Sequence, residues 1–319
     1  MREILIVKTS SMGDVIQYLP AVTDLLARVP SLAIDWVVEA PFAPLVRLHP
    51  GVRQVIPVAL RSWRKRLWAP ATWRAFGGFR REVRKARYER VIDAQGLLKS
   101  ALLARMAGAP VAGYMPDSAR EPFATRFYDD KYRVSWQMHA VERNRRLTAA
   151  VFDYPLDLPL DYGIRAPAPL ADAWRVDGAY AVLLTATSRD EKLWPEPNWV
   201  ELGRALNRRG LHCVLAAGND TERARAGRIA ANLPHASLAP PMALDALAGL
   251  IDRAQCVVGV DTGLSHLAAA LKVPVVALYI ATEPGANGVA GGANAVNLGG
   301  RGQCPSVASV LQALGPWVA

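Results

Sequence analysis

Short apolar, β-branched runs alternate along this chain with longer stretches whose apolar positions recur every three to four residues. In the first half, residues 4–7, 34–38, 52–57 and 90–94 read as strands, with helical patterns over 15–28, 41–49, 70–86 and 97–107. Strands alternating with helices predict a parallel sheet covered on both faces. Residues 114–138 lack a period, are rich in aromatic and charged side chains, and read as a loop region over the sheet edge; 139–152 reads as a helix. Pro155, Pro159, Pro167 and Pro169 then interrupt the pattern, which suits a connection between domains. The pattern restarts with strands at 180–185, 212–216, 257–260 and 275–279 and helices at 199–209, 221–232, 244–254 and 264–271. An α/β protein is expected, with two Rossmann-like domains facing one another across a cleft. The expected boundaries are 1–160, a linker over 161–178, a second domain over 179–304, and a helix over 305–319 able to pack back on either half, the N-terminal domain included.

Charge changes this picture. The chain has 319 residues, 51% of them hydrophobic, which is ample for two domains. Its 38 Lys and Arg against 28 Asp and Glu leave +10, a balance that favours anionic partners: nucleic acid, anionic lipid or phosphorylated metabolites. Most of the excess lies in residues 61–90, where eleven Lys and Arg face only Glu82 and Glu89 and are interleaved with Trp63, Leu67, Trp68, Trp73 and Phe76. A basic, Trp-containing amphipathic stretch is what an anionic membrane surface attracts. Nucleic acid is the competitor, and a solvated helix face accounts equally well for Arg80 to Arg87. Lys272 and Pro274 break the longest apolar stretch, and the chain opens at once on a strand. A soluble or peripheral protein without a signal peptide is therefore expected. Cys213, Cys256 and Cys304 show no metal-like spacing and are expected to be reduced, buried thiols of a cytosolic protein.

The candidate chemistry sits where predicted strands end. The run Val257-Val258-Gly259-Val260 breaks at Asp261-Thr262-Gly263 and continues as an Ala- and Leu-rich helix. Unpaired N–H groups and the positive helix end make such a turn a phosphate site, while Asp261 suits hydroxyls or amines beside the phosphate. An ordinary turn capped by Thr262 is the alternative. His266, one helical turn past Thr262, can face the same place. After the first strand of the second half, Thr187 and Ser188 offer hydroxyls and Lys192 a cation for phosphate oxygens. Trp194-Pro195 then starts the next helix. Glu222, past the next strand, stands where a ribose diol is gripped, though a first-turn acid also has a structural explanation. Between the first strand and helix, Ser10, Ser11 and Gly13 permit close backbone approach, and Asp14 is either a helix N-cap or a catalytic carboxylate. Arg120, His139 and Arg143 are further anion contacts. No GxGxxG, DxD or clustered His/Cys set occurs, so neither a dinucleotide fingerprint nor a metal is expected.

Five segments together resemble one family along essentially the whole chain. They are Val7-Lys8-Thr9-Ser10-Ser11-Met12-Gly13-Asp14-Val15, Val91-Ile92-Asp93-Ala94-Gln95-Gly96-Leu97-Leu98-Lys99-Ser100, Ala119-Arg120-Glu121-Pro122, His139-Ala140-Val141-Glu142-Arg143 and Asp261-Thr262-Gly263-Leu264-Ser265-His266. The chain is similar to the heptosyltransferases of lipopolysaccharide core assembly, glycosyltransferase family 9. The resemblance implies a GT-B fold, with an N-terminal acceptor-binding and a C-terminal donor-binding domain. It implies inverting transfer of L-glycero-D-manno-heptose from ADP-heptose to Kdo of Kdo2-lipid A, with no obligatory cofactor or metal and no nucleic acid. The protein would work peripherally at the cytoplasmic face of the inner membrane, on its anionic inner leaflet.

By the same resemblance Asp14 is the general base. Thr187, Ser188, Lys192, Thr262 and Gly263 hold the diphosphate, Glu222 the ribose and Met242 the adenine, with Asp261 and His266 at the heptose and phosphate. Ser10, Ser11, Gly13, Arg61, Arg64, Lys65, Arg120, His139 and Arg143 fall on the acceptor side, the arginines and lysine facing Kdo carboxylates and lipid A phosphates. The chain departs from the family pattern at Ser188, Ala217 and Tyr279-Ile280-Ala281-Thr282-Glu283-Pro284-Gly285. Two alternatives remain: a sister enzyme acting on an already heptosylated acceptor, and a non-catalytic nucleotide-sugar binding protein, which would have no need of Asp14.

Overall fold

Twelve short parallel strands carry the chain in a computed structural model that describes residues 2–65, 68–167 and 174–318. They fall into two units that divide between Ile164 and Arg165. The first sheet holds β1 (Arg2–Val7), β2 (Leu32–Glu39), β3 (Val52–Val58), β4 (Arg90–Asp93), β5 (Val111–Tyr114) and β6 (Asp130–Tyr132), in the order β3-β2-β1-β4-β5-β6. The second holds β7 (Tyr180–Leu184), β8 (His212–Leu215), β9 (Ala236–Leu238), β10 (Cys256–Val260), β11 (Val275–Tyr279) and β12 (Ala295–Gly299), in the order β12-β11-β10-β7-β8-β9. Counted along each unit, both orders are 3-2-1-4-5-6, the doubly wound arrangement. Its consequence is a switch point, between β1 and β4 in one unit and between β7 and β10 in the other. Loops leaving these neighbouring strands diverge and open a crevice at the carboxyl ends.

Four strands escaped the sequence pattern. Residues 114–138 are more than a loop region: β6 lies within them and pairs with β5 at the sheet edge. As Asp-Lys-Tyr, β6 offers no apolar run to find. β5 reads as Val-Ala-Gly-Tyr because the Tyr128 ring covers Gly113, where a Cβ would lie 2.5 Å from the ring. β9 and β12 are partly exposed edge strands. The predicted helix over 15–28 is two helices, Met12–Ile16 and Leu19–Arg28, with Pro20 in the first turn of the second.

The closing helix, Val307–Leu314, belongs to the core of the second unit. Val307, Val310 and Leu314 join Trp194, Trp199 and Leu206 there, and the Trp194 indole donates to the Pro305 carbonyl at 2.9 Å. Cys213 and Cys256 are buried in β8 and β10, but Cys304 is exposed in the turn after β12, correcting the expectation of three buried thiols. No helix among the described residues is long and apolar enough to cross a membrane. In the first unit, helix Ala140–Phe152 is fixed against Leu19–Arg28 by a buried, two-contact ion pair. Arg145 donates to Asp24 at 2.7 and 3.1 Å, and Asn144 donates to the Gln17 carbonyl at 3.0 Å. A forked guanidinium–carboxylate pair fixes orientation as well as distance, so His139 and Arg143 are placed by the same helix that the pair anchors.

Candidate active site

In the first unit the loops after β1 and β4 are sewn together across the switch point. The Gln95 side-chain oxygen accepts from the N–H groups of Thr9 and Ser10, at 3.0 and 3.2 Å. The buried Lys8 ammonium donates to the Ala94 carbonyl at 2.8 Å, and the Trp36 indole donates to the Lys8 carbonyl at 3.0 Å. Asp93 is fully buried and accepts from the Gln95 and Gly96 N–H groups and the Ser100 and Tyr128 hydroxyls. Burial raises its carboxyl pKa above the ordinary value despite these donors, which marks it as an internal brace. Gly96, at φ +69°, brings the backbone close to Arg120: a Cβ there would lie 3.3 Å from the Arg120 nitrogen.

Asp14 is not the N-cap that one sequence reading allowed. Ser11 occupies that position, and Asp14 stands three residues further on. Its Oδ2 accepts from the Ser11 N–H at 2.8 Å and the Ser11 hydroxyl at 3.0 Å, while Oδ1 accepts from Arg120 at 3.2 Å. Burial pushes this carboxyl upward, but the charges of Lys8 and Arg120 and the two Ser11 hydrogen bonds outweigh it and hold the pKa below the ordinary value. It is an ionised, braced carboxylate. Burial brings Lys8 down to about 8, the Asp14 charge resisting.

Arg143 completes the cationic group. It donates to the Ser118 carbonyl at 2.9 Å, and its guanidinium lies 3.5 Å from the Trp136 ring centre. Its Nε, buried, has no hydrogen-bond partner among the described residues. His139 caps the same helix, its Nδ1 accepting from the Val141 N–H at 3.2 Å. Ser10 is buried and Ser11 is exposed. Arg61 and Lys65 are exposed on helix Leu60–Lys65, whose first N–H groups donate to the buried Glu39; the Arg64 side chain lies outside the described residues. In the basic stretch, Trp63 packs edge-on against Phe76 and tilted against the buried Phe79, while Trp68 and Trp73 are 98% and 63% exposed. Arg80, Arg81, Arg84 and Arg87 are exposed.

The second unit repeats the plan. The Thr187 hydroxyl donates to the Asp261 carbonyl at 2.8 Å, tying the loop after β7 to the loop after β10. Lys192 Nζ sits 2.6 Å from Asp261 Oδ2, and the Thr282 hydroxyl donates to the same oxygen at 2.7 Å. Thr262 takes the N-cap position of helix Gly263–Ala270 without a side-chain capping bond, so the first-turn N–H groups are not capped by it. Gly259 is required by packing, since a Cβ would lie 2.4 Å from the Ser265 hydroxyl. His266 is buried on that helix.

Glu222 serves its own helix: its carboxylate accepts from the Gly218 N–H at 2.8 Å and the Asn219 amide at 2.9 Å, and Asn219 caps the Glu222 N–H. Glu222 and Thr187 also line one depression of about 510 Å³, with Asp190 and Arg225 on its wall. Ser188 is exposed and Met242 half-buried between β9 and helix Leu244–Asp252. Among the described residues no group of three or more His, Cys, Asp or Glu is placed to hold a metal ion. Sequence reading assigned no part to Lys8, Gln95, Trp136 or Thr282. For Lys8 a signal existed, a charge directly after an apolar strand.

Two doubly wound units, each with a polar site at its switch point, one carrying a braced carboxylate among cations and the other a lysine paired with an aspartate before a helix, suit an enzyme of GT-B architecture. The family model of glycosyltransferase family 9 (heptosyltransferase) matches residues 77–314. The chain is 47% identical over 303 residues to lipopolysaccharide heptosyltransferase 1 of Pseudomonas aeruginosa, covering 94% of this chain and 84% of the relative. It is also similar to the structure of Escherichia coli heptosyltransferase WaaC with ADP, at TM-score 0.91 and 40% identity over 98% of this chain and 99% of that one. With ADP-2-deoxy-2-fluoro heptose, that enzyme matches at TM-score 0.88 and 39% identity, over the same shares of both chains. The chain belongs to glycosyltransferase family 9, the heptosyltransferases.

Proposed function

We propose that this enzyme transfers L-glycero-D-manno-heptose from ADP-heptose to Kdo of Kdo2-lipid A in lipopolysaccharide inner-core assembly, inverting the anomeric carbon. The observation that carries the reading is Asp14, ionised, braced by Ser11 and set among Lys8 and Arg120. The Kdo hydroxyl attacks the anomeric carbon from the face opposite ADP. A new C–O bond forms, the bond from that carbon to the β-phosphate oxygen breaks, the electron pair leaves with ADP, and the hydroxyl proton passes to Asp14. A carboxylate with a depressed pKa is a weak base for a sugar hydroxyl. Proton transfer therefore comes late, once ADP is departing and the forming C–O bond has made the attacking oxygen acidic.

The second unit supplies the donor site in this reading. Lys192 and the N-terminus of helix Gly263–Ala270 take the charge that grows on ADP, with Thr187, Ser188 and Thr262 on the diphosphate. Asp261 and His266 meet the heptose, Glu222 the ribose and Met242 the adenine. On the acceptor side, Arg120, His139, Arg143, Arg61 and Lys65 receive carboxylates and phosphates beside Ser10, Ser11 and Gly13. Mass analysis tests the assignment. With ADP-heptose and Kdo2-lipid A, the product is expected to be heavier than the acceptor by one heptose unit. Transfer only to an already heptosylated acceptor would contradict it.

The enzyme works, in this reading, peripherally on the anionic inner leaflet at the cytoplasmic face of the inner membrane. Support comes from Trp68 and Trp73, which project from a basic stretch into solvent. Replacing both by alanine is expected to weaken binding to phosphatidylglycerol vesicles on the order of tenfold. Unchanged co-sedimentation would remove the stretch from membrane contact.

A further inference from the structure

The loop after β11 sends one side chain into the proposed donor site. Thr282 donates its hydroxyl to Asp261 Oδ2 at 2.7 Å, the oxygen that also takes Lys192 at 2.6 Å. Both contacts fall on Oδ2, on the side of the carboxylate away from Oδ1. One carboxylate oxygen is thus held from two other loops. The loop that delivers Thr282 is itself tied down: Glu283 accepts from the Arg301 N–H at 2.8 Å, and the Gly302 N–H donates to the Ile280 carbonyl at 2.8 Å.

We infer that Thr282 is a positioning residue for the donor sugar, fixing the Asp261 carboxylate so that Oδ1 is presented to the hydroxyls of the heptose. The inference rests on the donor site proposed above. Lys192 cannot do this alone, because an incoming diphosphate competes with Asp261 for its ammonium. A neutral hydroxyl is drawn to that anion far less strongly than an ammonium is. The Thr282 bond therefore persists when Lys192 turns to the phosphates, and it keeps the carboxylate from following the lysine. A hydroxyl bonded to a charged oxygen is among the stronger neutral-donor contacts, and it fixes direction as well as distance.

Thr282→Val removes the hydroxyl and keeps the shape; Thr282→Ser keeps the hydroxyl. Calorimetric binding of ADP-heptose and of ADP separates positioning from a structural role. Thr282→Val is expected to weaken ADP-heptose about tenfold while leaving ADP within about twofold, and Thr282→Ser to restore ADP-heptose binding. Equal weakening of both ligands would mean a loosened loop and would overturn the inference, as would a Val variant that binds ADP-heptose like the parent. A parent enzyme that binds ADP but not ADP-heptose would overturn the donor assignment itself, and the role of Thr282 with it.

Discussion

Lys192→Ala is expected to lower kcat by about 10²- to 10³-fold, the usual cost of losing one preorganised group aimed at a developing charge. Lys192 is held ready: its side chain is 13% exposed, and its ammonium lies 2.6 Å from Asp261 Oδ2. Charge grows on the β-phosphate oxygen as the glycosidic bond breaks, so a cation placed there stabilises the transition state more than the bound donor. That difference is what raises a rate. Alanine also leaves Asp261 unneutralised beside the diphosphate, which raises the donor KM as well. Lys192→Arg keeps the charge but spreads it over a planar fork, and is expected to recover only part of the loss. Steady-state ADP release at varied ADP-heptose concentration separates the two parameters. A variant altered in KM alone would assign Lys192 to ground-state binding.

Asp14→Asn is expected to lower kcat by about 10²- to 10⁴-fold, the range general bases supply, while leaving ADP-heptose affinity unchanged. Asparagine retains the shape and the capacity to accept from Ser11, but not the charge or the basicity. Its pH profile follows from the surroundings. Activity requires ionised Asp14, and Lys8, Arg120 and Ser11 hold its pKa below the ordinary value. The acid limb of wild-type activity therefore lies below the ordinary carboxylate range. The stability Asp14 contributes is present above its unfolded pKa and is lost as pH falls through the folded one.

Lys8 governs the alkaline side. Its ammonium titrates near 8 in the folded protein against an ordinary 10.5. Above about 8 it stops adding to the positive field around Asp14, and kcat/KM for an anionic acceptor is expected to fall. Between about 8 and 10.5 the unfolded chain binds more protons at Lys8 than the folded one, so its contribution to stability rises with pH. Alkaline inactivation without any loss of melting temperature is the signature. Loss of both together would mean unfolding instead.

What the sequence revealed depended on how each feature is encoded. Buried parallel strands are largely apolar runs, so β1, β4, β7, β10 and β11 were legible, and so was β2 despite Asp35 within it, as was the restart of the pattern after residue 178. β6 and β9 were not, because a three-residue edge strand needs no apolar run and takes its hydrogen bonds from the neighbouring strand. The positions of Lys192 and Asp261 followed from strand-to-helix turns. Their direct contact did not, since it depends on the β7–β10 adjacency that only the strand order supplies. Thr282 arrives on the next strand's loop, and nothing local says that its hydroxyl meets Asp261. Gln95 was visible within a motif, but nothing local says that its amide oxygen closes the turn after β1. Glu222 carries two meanings at once: its contacts to Gly218 and Asn219 build the helix start, and the same placement sets it on the wall of the depression with Thr187.

ADP release from ADP-heptose, measured side by side for the wild-type enzyme and Asp14→Asn with de-acylated Kdo2-lipid A as acceptor, bears on all of this at once. Steady turnover by the wild type is expected, with a loss of at least about 10²-fold in a variant that still binds ADP-heptose. A variant as fast as the wild type would remove Asp14 from the chemistry and contradict the proposed mechanism.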